Sequence, residues 1–279
     1  MNKRIFFAVS FFVCLVAAPA ATIYVPLNYP IIQDAIDASA GGDTIVVSQG
    51  TYYENLDFSG KAIVLKSSSG PLVTIIDGGQ AGSVVSFKNG EASDSEIRGF
   101  TITNGTGTNV GTPPNLSGGG ILCGPASSPA IRGNIIRDNT CWNGGGIFNY
   151  GASSPIIANN FFTGNVCKNG GAVDNVEDSR PTISGNVMTG NSAPTYGGAI
   201  RCFDGCHALI ENNLITDNQA ASGRGGGIYC YYADPIIRRN RIIPLCQDSC
   251  RLKRFLSWGE PSGAEPLAKL SGARRSGGR

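Results

Sequence analysis

Residues 118–136 read GGGILCGPASSPAIRGNII, and residues 144–162 read GGGIFNYGASSPIIANNFF. This pattern of glycines, a short apolar run, a proline and an asparagine occurs five times in residues 118–243, with Ala208 in place of the proline in the fourth copy. The first apolar residues of the five copies are Ile121, Ile147, Val173, Ile200 and Ile228. These anchors are 26, 26, 27 and 28 residues apart, and a closing asparagine keeps the same order at Asn134, Asn160, Asn186, Asn213 and Asn240.

A repeat of this length predicts a stacked solenoid and not a globule around one isolated core. Each copy contains three apolar segments that are too short for helices and are separated by Gly, Pro, Ser and Asn, as strands are. We therefore predict an all-β protein, a right-handed parallel β-helix with three short strands per rung of about 26 residues. In this fold each strand pairs with its equivalent about 4.8 Å away in the next rung.

Stacking assigns a role to each repeated position. Three apolar columns are expected to fill the interior, namely Ile121/Ile147/Val173/Ile200/Ile228, Ile131/Ile157/Ile183/Ile210/Ile237 and Ile136/Phe162/Met188/Ile215/Ile242. Asparagine tolerates turn conformations, and its amide can bond to the equivalent amides of the neighbouring rungs. Two asparagine ladders are therefore predicted, one through Asn134 and one through Asn139.

The N-terminal residues have the pattern of a secretory signal peptide, assigned to residues 1–20. Lys3 and Arg4 precede an apolar run over residues 5–16, and small residues follow at Ala18 and Ala20. A membrane anchor is the less favoured alternative because this run is too short to span a bilayer. No later segment is long enough to cross one. We predict an exported protein, extracellular or at the cell surface, with the periplasm as an alternative.

The β-helix domain is assigned to residues 21–243, and a short amphipathic helix over residues 31–38 is expected to cover its open end. After Ile243 the repeat stops. Residues 244–279 contain seven Lys or Arg and three Asp or Glu, without a further repeat anchor. This tail is interpreted as disordered, as a shifted reading frame, or as a basic linker or anchor. The net charge of +2 gives no reason to expect a nucleic-acid partner.

Two pairs of cysteines stack in the predicted rungs. Cys141 lies over Cys167 in a predicted turn, where a disulfide and free thiols remain alternatives. Cys202 lies over Cys230 and should point inward, which favours buried thiols. No Cys-x-x-Cys pair or histidine cluster suggests a zinc site, and no metal ligand is assigned.

One turn between consecutive strands concentrates charge over three rungs. Glu177 and Asp204 share an offset from their anchors and should stack. The full candidate set is Asp174, Glu177, Asp178, Arg180, Arg201, Asp204, His207 and Asp234. Carboxylates and a histidine in one place suit a glycan or cation site, with Ca²⁺ the only cofactor considered. The alternative is a solvated charged turn without function.

Aromatic side chains that could stack on sugars fall in the same rungs, and Phe148 and Tyr229 share an outward column with Asp174 and Arg201. The full set is Trp142, Phe148, Tyr150, Tyr196, Tyr229, Tyr231 and Tyr232. The alternative is that these aromatic residues cover their neighbours on the solenoid surface and bind no ligand.

The early rungs resemble a known family. The segments Gly42-Asp-Thr-Ile-Val-Val, Gly50-Thr-Tyr-Tyr-Glu-Asn and Gly99-Phe-Thr-Ile-Thr-Asn-Gly look like the opening of secreted β-helix proteins of the pectin-lyase-like superfamily. The later repeats also resemble those of bacterial polymorphic outer-membrane proteins. The resemblance covers about residues 21–243 and implies the right-handed fold.

The superfamily includes polysaccharide lyases, glycosidases, esterases and epimerases as well as surface proteins without known activity. Its enzyme signatures are not recognisable in this sequence. The favoured function is therefore a surface or binding protein whose partner is a polysaccharide or another cell-envelope component. A polysaccharide-active enzyme (a lyase, hydrolase or epimerase) is the alternative, with Glu177, Asp204 and His207 in its site.

Overall fold

The structure is a computed structural model that describes residues 19–111, 115–221 and 224–243, together with the backbone of residues 256–259. Its strands coil into successive rungs and stack into four sheets, here named I to IV. Among the described residues, every strand pairing is parallel except that of Thr108–Val110 with Asn115–Ser117, which is antiparallel. The prediction of an all-β parallel β-helix with rungs of about 26 residues is confirmed.

Sheets I and II follow one another within each rung. Sheet I contains Thr22–Val25, Thr44–Val47, Val64–Ser67, Glu96–Arg98, Ala130–Arg132, Ile156–Ala158, Thr182–Ser184, Leu209–Glu211 and Ile236–Arg238. Sheet II contains Gly50–Tyr53, Thr74–Asp77, Thr101–Thr103, Ile135–Arg137, Phe161–Thr163, Val187–Thr189, Leu214–Thr216 and Arg241–Ile243.

Sheets III and IV complete the rung. Sheet III contains Leu56–Asp57, Val85–Phe87, Ile121–Cys123, Ile147–Asn149, Val173–Asn175, Ile200–Phe203, Ile228–Tyr231 and Leu256–Gly259. Sheet IV contains Thr108–Val110, Asn115–Ser117, Thr140–Asn143, Val166–Asn169, Ser192–Ala193 and Gln219–Ala220. Sheet IV is a difference from the three strands predicted per rung. Its strands lie in the return segment, where the repeat length varies and the apolar pattern is weak.

The predicted interior columns are confirmed. The five first anchors pair in register along sheet III, and all five are fully buried. The columns through Ile131 and Ile136 are also buried up to Ile210 and Ile215, and they become only partly buried in the last rung. One continuous apolar core therefore runs along the axis, because each inward residue packs on its equivalent in the next rung.

Both predicted asparagine ladders are present. In the first, the side-chain amide of Asn134 donates to the Oδ1 of Asn160 at 3.2 Å, and the same bond recurs up to Asn240. In the second, Asn139 donates to Asn165 at 3.0 Å, and the ladder continues to Asn218. These amides also donate to backbone carbonyls of the preceding rung, so the ladders supply partners for buried turn groups.

The glycines that open each copy form the corner between sheets IV and III. Gly170, for example, has φ +62°, and a Cβ at this position would lie 2.6 Å from the Cβ of Asp174. Only glycine adopts this left-handed backbone without strain and leaves room for the neighbouring side chain. The corner is therefore tight enough to bring the backbone of Gly170 against the side chain of Asp174 on sheet III.

The helix Ile32–Ala38 confirms the predicted capping helix. Ile32 and Ile36 are buried against the first rung, and Glu54 accepts from the backbone N–H groups of Ile32 and Gln33, each at 2.8 Å. At the other end, Lys61 Nζ donates to the carbonyl oxygens of Ile36 and Asp37 at 2.7 Å. A strand that the sequence analysis did not predict, Thr22–Val25, precedes the helix and pairs in parallel with Thr44–Val47.

Two predicted segments lie largely outside the described residues. The predicted signal peptide is described only at residues 19 and 20, so its assignment stays a prediction. Within the predicted tail, Leu256–Gly259 pairs with Ile228–Tyr231, and Leu256 stands opposite Ile228. The step of 28 residues equals that of the preceding rung. In the part of the chain that the structure describes, none of the helices is long and apolar enough to cross a membrane.

Candidate functional site

The outward face of sheet III carries two side-chain columns over successive rungs. The first contains Leu122, Phe148, Asp174, Arg201 and Tyr229, which pair in register. The second follows two residues later and contains Tyr150, Val176, Phe203 and Tyr231. This face, hereafter the outer face, is therefore lined by aromatic and apolar side chains interrupted by one charged pair.

The charged pair is Asp174 and Arg201, which the sequence analysis placed in the same column. The Nε of Arg201 lies 2.6 Å from Oδ1 of Asp174, and its Nη2 lies 2.8 Å from Oδ2, so the contact is bidentate. Asp174 is completely buried and Arg201 is 9% exposed. Burial raises the pKa of Asp174, and the guanidinium partly opposes this shift because it favours the carboxylate.

Five aromatic rings pack together beside this ion pair. The aromatic strip consists of Tyr196, Phe203, Tyr229, Tyr231 and Tyr232. Tyr196 stacks on Tyr229 with ring centroids 4.7 Å apart, and Phe203 stacks on Tyr231 at 5.7 Å. Tyr232 meets Tyr231 edge to face at 4.3 Å and remains 51% exposed. The strip therefore presents ring surface to solvent while its inner ring, Tyr229, is buried.

Cations lie over two rings of this strip. The guanidinium of Arg201 lies 5.1 Å from the ring centroid of Phe203, and that of Arg224 lies 5.3 Å from the ring of Tyr196. Arg224 Nη1 also donates to the hydroxyl of Tyr196 at 2.9 Å. Cation–π contacts of this kind hold planar groups in fixed orientations. The strip is thus ordered by its own contacts.

Four of the seven aromatic residues proposed from sequence belong to the strip. Phe148 and Tyr150 instead form a separate stacked pair, with ring centroids 5.4 Å apart, on earlier rungs of the same face. Trp142 lies on sheet IV, where Lys168 Nζ is 4.0 Å from its ring centroid. The strand periodicity alone did not distinguish these three environments.

Phe203 and Arg224 are members of the site that the sequence analysis missed. Phe203 could have been found because it has the same offset from its anchor as Tyr231, and the two pair in register. Arg224 lies in the return segment, whose length varies between copies, so an equal offset from the anchor no longer identifies stacked residues there. Its position depends on the path of that segment.

The other six charged candidates form an exposed turn beside the strip. The acidic turn comprises Glu177, Asp178, Arg180, Asp204, His207 and Asp234. Glu177 and Asp204 have the same left-handed backbone, with φ +53° and +50°, as expected for equivalent positions in adjacent rungs. The backbone N–H of Asp204 donates to the carbonyl oxygen of Tyr231 at 3.3 Å, so the turn borders the aromatic strip.

The side chains of the acidic turn are not tied to one another. Among the described residues, none of the six makes a side-chain hydrogen bond or ion pair with another member. The described part of the chain also contains no group of three or more His, Cys, Asp or Glu side chains placed to hold a metal ion.

Six cysteines among the described residues are free thiols. Cys141 and Cys167 stack in register, but they lie in sheet IV strands and not in the predicted turn. Each donates to a nearby backbone carbonyl, Cys141 to Asn143 at 2.9 Å and Cys167 to Asn169 at 2.7 Å. The disulfide considered for this pair stays a prediction. Cys202 and Cys230 are buried, as predicted.

Comparison with known proteins identifies the family. The sequence profile of the family described as right-handed beta helix region matches residues 38–242, well over half of the 279-residue chain. No curated protein and no solved structure matched the chain. The chain belongs to the right-handed β-helix family, and the predicted handedness is the handedness of this family.

Proposed function

We propose that this protein is an exported β-helix protein that binds a carbohydrate chain along the outer face. The observation that carries the proposal is the aromatic strip packed beside the buried Asp174–Arg201 pair. A sugar ring has apolar C–H faces and polar hydroxyl edges. Exposed aromatic rings can cover the former, and fixed charged groups can bond to the latter.

The ion pair supplies a directed polar group at the base of this face. The contacts with Asp174 use Nε and Nη2 of Arg201, and no acceptor among the described residues bonds to Nη1. The bidentate contact with Asp174 already fixes the orientation of the Arg201 guanidinium. Binding of a ligand acceptor to Nη1 would therefore cost little side-chain entropy. Tyr231 and Tyr232 would provide the ring surface next to it.

The repeat geometry favours an elongated ligand. Equivalent positions recur at each rung, about 4.8 Å apart, along the two columns of the outer face. Solenoid proteins commonly use such extended surfaces for binding. A chain of sugar units could therefore contact the strip and then Tyr150, the partly exposed ring of the Phe148–Tyr150 pair, which suits a polysaccharide or another cell-envelope glycan.

Binding is tested with the purified full chain and a panel of neutral and acidic polysaccharides, using affinity electrophoresis followed by calorimetry. Tyr232→Ala and Tyr231→Ala are expected to weaken binding at least tenfold for any glycan that binds. Tyr53→Ala is the matched control, because this tyrosine is 76% exposed on sheet II, away from the outer face. Binding that survives both strip variants, or no binding to any glycan, would refute the proposal.

The enzyme alternative is tested with the same polysaccharides, with and without Ca²⁺, by mass spectrometry of the products. Glu177 and Asp204 are the candidate acids because they are exposed at equivalent positions of adjacent rungs. Shortened or unsaturated oligomers that disappear in Glu177→Gln and Asp204→Asn would establish a polysaccharide-active enzyme. Unchanged substrates from a folded protein that binds them would support the binding function.

Export is part of this proposal and rests on the N-terminal pattern of basic, apolar and small residues. Expression of the full chain in a secreting host, followed by mass measurement of the intact extracellular protein, tests it. A mature chain that begins after Ala20 is expected. An uncleaved chain retained inside the cells would contradict both the export and the assigned cleavage site.

A further inference from the structure

Three buried cysteines meet inside the rungs that carry the acidic turn. Cys202 points inward near the end of strand Ile200–Phe203, and Cys230 is its register partner in the next rung. Cys206 follows Cys202 across a turn through Asp204 and Gly205, both with left-handed backbones. The three side chains are 0%, 3% and 0% exposed for Cys202, Cys230 and Cys206. This group, the thiol cluster, has no role in the proposed glycan site.

Cys202 is the central member of the cluster. Its thiol interacts electrostatically with those of both Cys206 and Cys230, and the Nδ2 of Asn175 lies 3.8 Å from its sulfur. The thiol of Cys202 lowers the pKa of Cys206, and the backbone N–H of Ala208 makes a smaller contribution in the same direction. The same contact raises the pKa of Cys202. Cys206 is therefore the thiol of this pair that more readily becomes the attacking thiolate.

The two neighbours of Cys202 differ in how well they can bridge to it. Cys230 is held in a parallel ladder with Cβ vectors side by side, about 4.8 Å away, which exceeds the usual Cβ separation of a disulfide. Cys206 follows Cys202 within the same rung, and the left-handed turn at Asp204 and Gly205 returns the chain to the buried interior. The strand pairing therefore disfavours a disulfide between Cys202 and Cys230 in adjacent rungs. The turn permits a disulfide between Cys202 and Cys206 within one rung.

We propose that Cys202 and Cys206 form a disulfide under oxidising conditions, while Cys230 remains a free thiol. The bond would close a short ring around Phe203, Asp204 and Gly205. It would therefore fix the turn that displays Asp204 beside the aromatic strip.

The reaction needs a small disulfide as oxidant, such as oxidised glutathione. The Cys206 thiolate attacks one sulfur of this molecule, forms a mixed disulfide and releases one small thiolate. Cys202 then loses its proton and attacks the Cys206 sulfur, which expels the second small thiolate. Two protein thiols and one small disulfide thus become one protein disulfide and two small thiols. Because the thiols are buried, the exchange takes place during folding or when the turn opens.

The test refolds the full chain from urea in a buffer of reduced and oxidised glutathione. The monomeric folded fraction is then denatured, alkylated and digested with trypsin without reduction. Cleavage after Arg201, Arg224 and Arg238 puts Cys202 and Cys206 in one peptide, residues 202–224, and Cys230 in another, residues 225–238. The expected result is a 202–224 peptide that carries no alkyl group and is lighter by two hydrogens, with Cys230 alkylated.

Two other results would overturn the proposal. One is a 202–224 peptide alkylated at both cysteines, which means that the cluster stays reduced. The other is a cross-link between the two peptides, which means that the bridge spans adjacent rungs. Cys206→Ser is expected to leave Cys202 and Cys230 alkylated, since the ladder keeps these two apart. Cys123 is the internal control, because it is buried in the same inward column and its neighbour in the next rung is Asn149.

Discussion

Removing one charge of the buried Asp174–Arg201 pair should destabilise the protein strongly, and removing both should not. In Arg201→Met the carboxylate of Asp174 loses both bonds, of 2.6 and 2.8 Å, at a site that is completely buried. Breaking a buried pair in this way typically costs about 3–5 kcal/mol of the free energy of unfolding. In the double variant Asp174→Leu/Arg201→Met no buried charge remains, and the expected loss is under about 1 kcal/mol.

The assay is urea denaturation at neutral pH, followed by circular dichroism and by fluorescence so that coincidence of the two transitions can be checked. Arg137→Met is the matched control. Arg137 pairs with Asp138 at 2.6 Å, but these side chains are 43% and 51% exposed, so its loss should cost about 0–1 kcal/mol.

The loss of stability in Arg201→Met should also depend on pH. Burial already raises the pKa of Asp174, and loss of the guanidinium should raise it further because no cation then favours the carboxylate. At acidic pH the lone carboxyl can be protonated, so the penalty of Arg201→Met should shrink as the pH falls. A double variant as unstable as the single one, or an Arg201→Met no worse than Arg137→Met, would refute the reasoning.

Two further predictions concern the scaffold. Asn165→Ala breaks four buried hydrogen bonds of the second ladder, and at about 1 kcal/mol for each bond lost the decrease in the free energy of unfolding, measured by urea denaturation, should be about 4 kcal/mol. Asn109→Ala, at an exposed position, should change stability by under about 0.5 kcal/mol, and equal effects of the two would contradict the ladder argument. The backbone N–H groups of Ala40 and Ala21 donate to the carboxylate of Asp43 and lower its pKa in the folded protein. This carboxylate therefore stabilises the fold at pH values above its ordinary pKa of 3.8. The stabilisation is lost as the pH falls through the lower pKa of the folded state. Asp43→Asn should therefore flatten the acid limb of the stability profile, and an unchanged limb would count against this assignment.

The repeat made most of the architecture predictable from sequence. Ile147 and Val173 share an offset, and so do Asn160 and Asn186, and in a parallel solenoid equal offsets are direct neighbours. The same rule correctly placed Asp174 and Arg201 in one column. It failed where the offsets vary, so sheet IV and Arg224 were missed. It also missed the strand Thr22–Val25, which precedes the first copy of the repeat.

The candidate site was only partly predictable for a related reason. The repeat predicts which residues stack along the axis of the solenoid. It does not predict which side chains of different columns pack against each other across a face. Asp174 and Arg201 were grouped with the turn acids, whereas in the structure they are a buried pair and the turn acids are exposed. That difference arises from the neighbours of the pair, because the corner at Gly170 packs against Asp174 and the ring of Phe203 lies beside the guanidinium of Arg201.

The sequence by itself determined the β-helix, its rung length, its inward columns and its asparagine ladders, because these features repeat the same contact from rung to rung. Only the tertiary structure decided which outward residues are buried, which aromatic rings meet, and which cysteines share one cluster. Those contacts join different columns and the variable return segments. They depend on how tightly the chain turns at each corner, and the residue type at a repeated position does not specify this.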